Sequence, residues 1–301
     1  MGSEERIMYT SYFYSVGQTS ANLLSDIGAL LTGETNKANL SAGCNQASTV
    51  ISTGSSVAGW TLHDGSAGTN AKCYKAVCND NGGTQYKYVV VDTNTANTIL
   101  LKTYETWDAG AHTGTNVVYL SDSSTYGQRV AFGAGGRVEI SASVRHISMF
   151  SYQSGVYGST SGACPCGIFE RTRMSPWDLS YSYPPFIFWN YANITANAPR
   201  LLNAAGTADV TSSTASLTLA TPVGAPPTTT LPNASKVAVH YFWPYHVYNA
   251  SYACIDGDIS AFSKIYTTTG SYGAAFDEVT VGAETYVVWT AGTVRYVVVK
   301  G

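Results

Sequence analysis

Charge is the scarcest property of this chain. Charged residues make up 12% of its 301 residues and the formal net charge is −3, against roughly 25% charged residues in an ordinary soluble domain. The few lysines and arginines are scattered, which excludes the basic stripe that a nucleic-acid-binding surface needs to neutralise phosphates. Acidic runs are missing as well. A surface so poor in charge is expected to be polar-neutral or covered by partner chains.

Long hydrophobic runs are equally absent. Nowhere do roughly 18 apolar residues follow one another, so no membrane-spanning helix is expected. The first residues, MGSEERIMYTSYFY, place two glutamates ahead of any apolar run and contain no h-region. The expectation is a chain without a Sec signal peptide.

Catalytic signatures are missing too, with neither Gly-x-Ser-x-Gly nor HExxH present. His63 and Asp64 are adjacent and would fall on opposite faces of a strand, and serines are too numerous for one to stand out as a nucleophile. The close carboxylate sets are Asp256 with Asp258 and Asp277 with Glu278. Paired carboxylates at the right separation can cleave a glycosidic bond, but their turn-like setting reads as solvated loop acids. Asn79-Asp80-Asn81-Gly82-Gly83 supplies the positive φ angles of a tight hairpin; as a calcium loop it lacks alternating oxygen ligands and a closing Glu. No catalytic, cofactor-binding or metal-ligating residue is assigned, and no cofactor is expected.

Six cysteines are present, Cys44, Cys73, Cys78, Cys164, Cys166 and Cys254. Their spacing matches no zinc site, and without a secretory signal they read as free, mostly buried thiols, with disulfide formation after release from the cell as the alternative.

What the chain does have is β-forming sequence. Hydrophobic residues reach 45% and tyrosines number 22, enough for a sizeable core with phenol hydroxyls at wet edges. Residues 86–116, YKYVVVDTNTANTILLKTYETWDAGAHTGTN, hold two β-type runs at 86–92 and 98–107 around a polar turn. Further strands are predicted at 58–64, 72–79, 117–120, 137–143, 143–152, 236–243, 250–255, 262–266, 276–281, 285–290 and 293–300. One helix is predicted within 16–32, capped by Thr19 or Ser20, with Leu23, Leu24, Ile27, Leu30 and Leu31 at helical spacing and Gly33 as its stop. The fold class is therefore mainly β, antiparallel β-sandwich with one short N-terminal α-helix. Three regions are expected: an arm and helix at 1–41, a β-sandwich domain at 42–160, and a second β-rich domain at 161–301 that packs separately or as one unit with the first.

Two segments of the last region differ in character. Pro184 and Pro185 argue against a central strand, and Phe186, Ile187, Phe188 and Trp189 after them demand burial in a core or interface. Residues 212–232, rich in Thr, Ser and Pro, read as an extended surface loop. Beyond it, His240 and His246 flank an aromatic stretch. Trp189, Tyr241, Trp243 and Tyr245 are the candidates for an interface or for stacking on sugar rings, although strand aromatics more commonly sit in a core. Asn39, Asn193, Asn233 and Asn249 lie in N-x-Ser/Thr triplets, which chance produces in a chain this rich in Asn, Ser and Thr.

Residues 58–116, beginning AGWTLHDGSAG and ending in TYETWDAGAHTGTN, followed by GGRVEISASVRHISMFSY, RTRMSPWD and SYPPFIFWN, resemble virion structural proteins of tailed bacteriophages. In those proteins a Gly-Trp-x-Leu strand opens a β domain, and a later strand ends in a Thr-Glu-Thr-Trp-like element before a Gly-Thr-Asn loop. The resemblance covers residues 55–190 best. It implies a many-copy, non-enzymatic component of the tail, baseplate or neck, assembled in the host cytoplasm, whose partners are other virion proteins and copies of itself. Nucleic acid and membrane insertion are not implied, and no active-site residues carry over. A receptor- or glycan-binding module on a fibre or head surface, meeting a host-surface glycan, is the alternative, and a cell-wall hydrolase a more distant one. Six cysteines depart from the family's expected pattern.

Overall fold

The computed structural model describes residues 8–13, 19–33, 59–77, 86–94, 98–115, 118–119, 130–131, 137–152, 166–170, 186–190, 217–220, 246–249, 254–258, 265–268, 277–291 and 294–300. The elements in chain order begin with β1 (Met8–Phe13), α1 (Ser20–Leu31), β2 (Thr61–Gly68), β3 (Ala71–Val77), β4 (Tyr86–Asp92), β5 (Thr98–Tyr104), β6 (Thr106–Asp108) and β7 (Thr113–Thr115). They continue with β8 (Val118–Tyr119), β9 (Val130–Ala131), β10 (Arg137–Ser143), β11 (His146–Tyr152), β12 (Cys166–Glu170), β13 (Phe186–Asn190) and β14 (Leu217–Ala220). The last are β15 (His246–Asn249), β16 (Cys254–Asp258), β17 (Ile265–Thr268), β18 (Glu278–Val281), β19 (Glu284–Ala291) and β20 (Val294–Val299).

Every pairing among the described residues is antiparallel. One sheet runs β2-β3-β4-β5-β8 with β9 also on β5, and a second runs β1-β10-β11-β12-β13. Smaller sheets are β14-β15-β16, β17-β20-β19-β18 and the β6-β7 ribbon. The described chain is thus mostly antiparallel β with one short helix, as its alternation predicts.

The main core lies between the first two sheets and holds the helix. Thr19 caps α1 by accepting the Asn22 N–H at 3.1 Å, and Gly33 takes φ +100° just past its end, the left-handed conformation that suits glycine after a helix. Leu23, Leu24, Ile27, Leu30 and Leu31 bury against Tyr74, Val89, Val91 and Leu101 of one sheet and Ile140, Ile147 and Ile168 of the other. The run Val89-Val90-Val91 is buried on both sheet faces, because Val90 turns outward onto a second cluster with Ala71, Cys73 and Trp107. The buried Thr93 hydroxyl lies 2.8 Å from the carbonyl of Ser20 and 3.2 Å from that of Asn70, tying the helix start to the sheet. Farther along the chain, Phe150 of β11 stacks on Trp289 of β19 with ring centroids 5.5 Å apart.

Several sequence expectations need correction. The 98–107 run is two strands, broken at Glu105, so that β6 can leave the sheet and pair with β7. The 143–152 strand begins only at His146, since Val144 and Arg145 form the turn of a β10-β11 hairpin. Phe186–Asn190 forms a strand at the end of its sheet among the described residues, which agrees with the prolines before it arguing only against a central strand. Residues 217–220, assigned to a loop, form β14. Met8–Phe13, assigned to an arm, pairs along β10 as β1. The 236–243 strand lies outside the described residues.

Gly28 marks the tightest helix-to-sheet approach, because a Cβ there would run into the hydroxyl end of the buried Tyr74 ring. Gly28→Ala is expected to lower stability by about 1–3 kcal/mol despite the helix-propensity gain of about 1 kcal/mol. Thermal melts of Gly28→Ala and of Gly28→Ala with Tyr74→Phe check this, the second change restoring part of the loss.

Candidate functional site

A polar cluster with a solvent-facing member is built on a distorted strand. β2 slips register against β3 between Leu62 and Asp64 and again between Asp64 and Gly68. Bulges of this kind re-aim side chains. His63 and Asp64, expected on opposite faces, here both reach Trp107: His63 Nε2 lies 3.5 Å from its carbonyl oxygen, and the Trp107 indole N–H donates to Asp64 Oδ2 at 2.9 Å. Asp64 Oδ1 accepts the Ser66 backbone N–H at 2.8 Å. His112 Nδ1 lies 2.8 Å from Asp64 Oδ2.

The β6-β7 ribbon supplies two of these partners. Asp108 Oδ1 accepts the backbone N–H groups of Gly110 at 2.8 Å and Ala111 at 3.1 Å, closing the turn. His112 then adopts φ +55°, an uncommon angle for a side chain of this size, which brings its ring back to Asp64. Trp107 packs edge-on to Tyr104 at 4.9 Å between centroids and covers Cys73, Val90 and Ala71.

Electrostatics follow from this geometry. Burial alone would push the Asp64 carboxyl up, but the donors from His112, Ser66 and Trp107, with the charge on His112, outweigh it and hold the group below its usual 3.8. The backbone donors of Ala111 and Gly110 lower Asp108 in the same way. Burial, helped by nearby Asp64, pushes the Cys73 thiol up to about 12. That thiol stays protonated and is no nucleophile; it is free and buried.

Asp64 therefore orients one ring nitrogen of a half-exposed His112. Among the described residues no serine, threonine or cysteine hydrogen-bonds the other nitrogen, and no three His, Cys, Asp or Glu side chains converge as a metal site. What the arrangement does is clamp the ribbon onto the outer face of the sheet.

A second polar cluster is fully buried. His146 sits between Ser141 Oγ at 3.1 Å from Nε2 and Ser143 Oγ at 2.9 Å from Nδ1. Its desolvation, with the Lys87 charge adding to it, holds the imidazole down at about 3.

Of the sequence candidates, Trp189 falls on β13 opposite Gly167, and Tyr241, Trp243 and Tyr245 lie outside the described residues. Asp256 and Asp258 lie in β16, which shifts register at Val247/Tyr248, rather than in a turn. The Asp64, Trp107 and His112 cluster was not foreseen; its partners are 43 and 48 residues apart in sequence. No protein-family model matches the chain, and no curated protein matches it in sequence.

Removing the Asp64 carboxylate leaves the Trp107 and Ser66 donors unpaired, so Asp64→Ala is expected to cost about 2 kcal/mol and to expose the ribbon, read as faster amide exchange at residues 106–115.

The acid response should have two windows. The unfolded chain protonates His146 near 6.5 and the folded chain only near 3. Stability is therefore complete above 6.5 and falls as pH drops between the two, by up to about 1.4 kcal/mol per pH unit. Asp64, lowered from 3.8, contributes stability above that value that is lost as pH falls through its folded pKa. Urea midpoints from pH 8 to 4 should fall below pH 6.5, and His146→Gln should flatten the upper window.

Proposed function

We propose that this chain is a non-enzymatic structural component of a tailed-phage particle, in the tail, baseplate or neck, assembled in the host cytoplasm and joined to copies of itself and to other virion proteins through β-rich interfaces. The observation that carries this reading is the number of sheet ends. Among the described residues β1, β13, β14, β17 and β18 each pair on one side only. An open end presents backbone N–H and C=O groups that a strand of a neighbouring chain can complete, and symmetry in a particle repeats each such contact many times.

Two features of composition support the same reading. Charge at 12% of residues leaves few of the lysines that commonly guard exposed strand edges against pairing. The apolar segment FIFWN forms a strand at the end of its sheet, where a partner would cover it. By contrast β2, at the end of its own sheet, is bulged twice, and bulges suit an edge that stays unpaired.

The test is a cryo-EM map of intact particles together with the mass of the purified chain in solution. Several copies in a ring or collar, with neighbours meeting along strand ends, is the expected result. A stable monomer absent from particles would refute the proposal.

A further inference from the structure

The outer face of the β2-β3-β4-β5 sheet is divided by the ribbon that Asp64 clamps to it. Trp107 covers the rows containing Ala71, Cys73 and Val90. The next rows belong to the same face, since Lys75 pairs with Tyr88 and Val77 with Tyr86 in the β3-β4 register, while Tyr88 pairs with Tyr104. Here the sheet carries one exposed aromatic ring, Tyr86, beside the partly buried Tyr88. Tyr86 is 46% exposed, and the Lys75 ammonium lies 4.9 Å from the centre of its ring. The His63 ring meets Tyr88 at 5.2 Å, tilted by 50°, and His112 stands beside Trp107 on the ribbon with its side chain 46% exposed.

From this arrangement we infer that the open half of this face, floored by Tyr86 and Tyr88 and edged by His63 and Lys75, is a binding site for an acidic saccharide. The rings supply flat apolar faces for the C–H side of a pyranose, and the Tyr86 hydroxyl and the His63 imidazole supply hydrogen-bonding edges at the same level. Charge selects the class. Lys75 has no carboxylate partner among the described residues, whereas Lys102 is paired with Asp92 at 2.8 Å and Lys300 with Glu278 at 2.6 Å. A lone ammonium already placed over an aromatic ring suits one sugar carboxylate per site. Single-stranded nucleic acid would also stack on the rings, but it needs cations along several successive phosphates, and the chain's net charge is −3.

The inference does not rest on a place in a virion. Titration calorimetry of the full chain with tetragalacturonate should show binding that weakens as salt is raised. The carboxyl-reduced tetramer should bind more weakly. Tyr86→Ala should weaken tetragalacturonate binding about tenfold, the scale of one lost ring stack. Lys75→Gln should reduce tetragalacturonate to the level of the reduced tetramer and leave the latter unchanged. Both positions are at the surface, so the variants should melt as the parent does. Equal binding of both tetramers, tighter binding of oligothymidylate, no binding at millimolar saccharide, or variants that bind as the parent does would each overturn the inference. A monomer that binds tetragalacturonate yet never enters a particle would leave this site standing while removing the assembly proposal.

Discussion

The apolar face of α1 has to be buried, and that requirement organises the described part of the chain. An isolated helix of 12 residues is marginal in water because nucleation costs more than a few added hydrogen bonds return. Its leucines and Ile27 are instead shared between two sheets, with Tyr74, Val89 and Leu101 on one side and Ile140, Ile147 and Ile168 on the other. The two sheets complete the same core around it, with Trp60 buried among them. The helix can approach closely only because Gly28 leaves room for the Tyr74 ring, and the Thr93 hydroxyl fixes its start against the turn at Asn70. Helix, sheets and turn therefore depend on one another.

Once the inner face is committed to the helix, the outer face of the same sheet has to be dealt with separately. Cys73 and Val90 point outward and would be left wet without the β6-β7 ribbon. A three-residue pairing is too short to hold itself in place. Asp64 supplies the anchor, because a buried carboxylate with indole, imidazole and backbone donors makes charge-assisted bonds stronger than neutral ones. The bulges of β2 are what aim it there.

Local signals were readable in the residues. The strands at 86–92 and 137–143 match their alternation, and the Thr19 cap and Gly33 stop frame the helix as their chemistry demands. What could not be read was non-local. β1 exists because β10 offers it a register, and β14 because β15 does; neither carries enough pattern of its own. The separation of His63 from Asp64 failed for a sharper reason, since period-two alternation holds only in a regular strand and a single slip reverses it. The signal that was available lay in Asp108-Ala109-Gly110, an acid two residues before glycine that forms a side-chain-to-backbone turn and so announces a tight return of the chain toward His112.

The carboxylate-histidine pair also bears on how function should be sought in this chain. In an enzyme such a pair orients a base toward a nucleophile; here the described partners of Asp64 are all groups of the ribbon or of β2 itself. The chemistry is consumed in holding two surfaces together. It leaves a half-exposed His112 with one ring nitrogen turned away from Asp64. On the proposed reading, aromatic area, one lysine and an imidazole would select a ligand on this face, while open strand ends elsewhere would join copies of the chain. The two proposed roles would use different surfaces, so avidity from repeated copies would turn a weak single-site affinity into firm attachment without any change in the site.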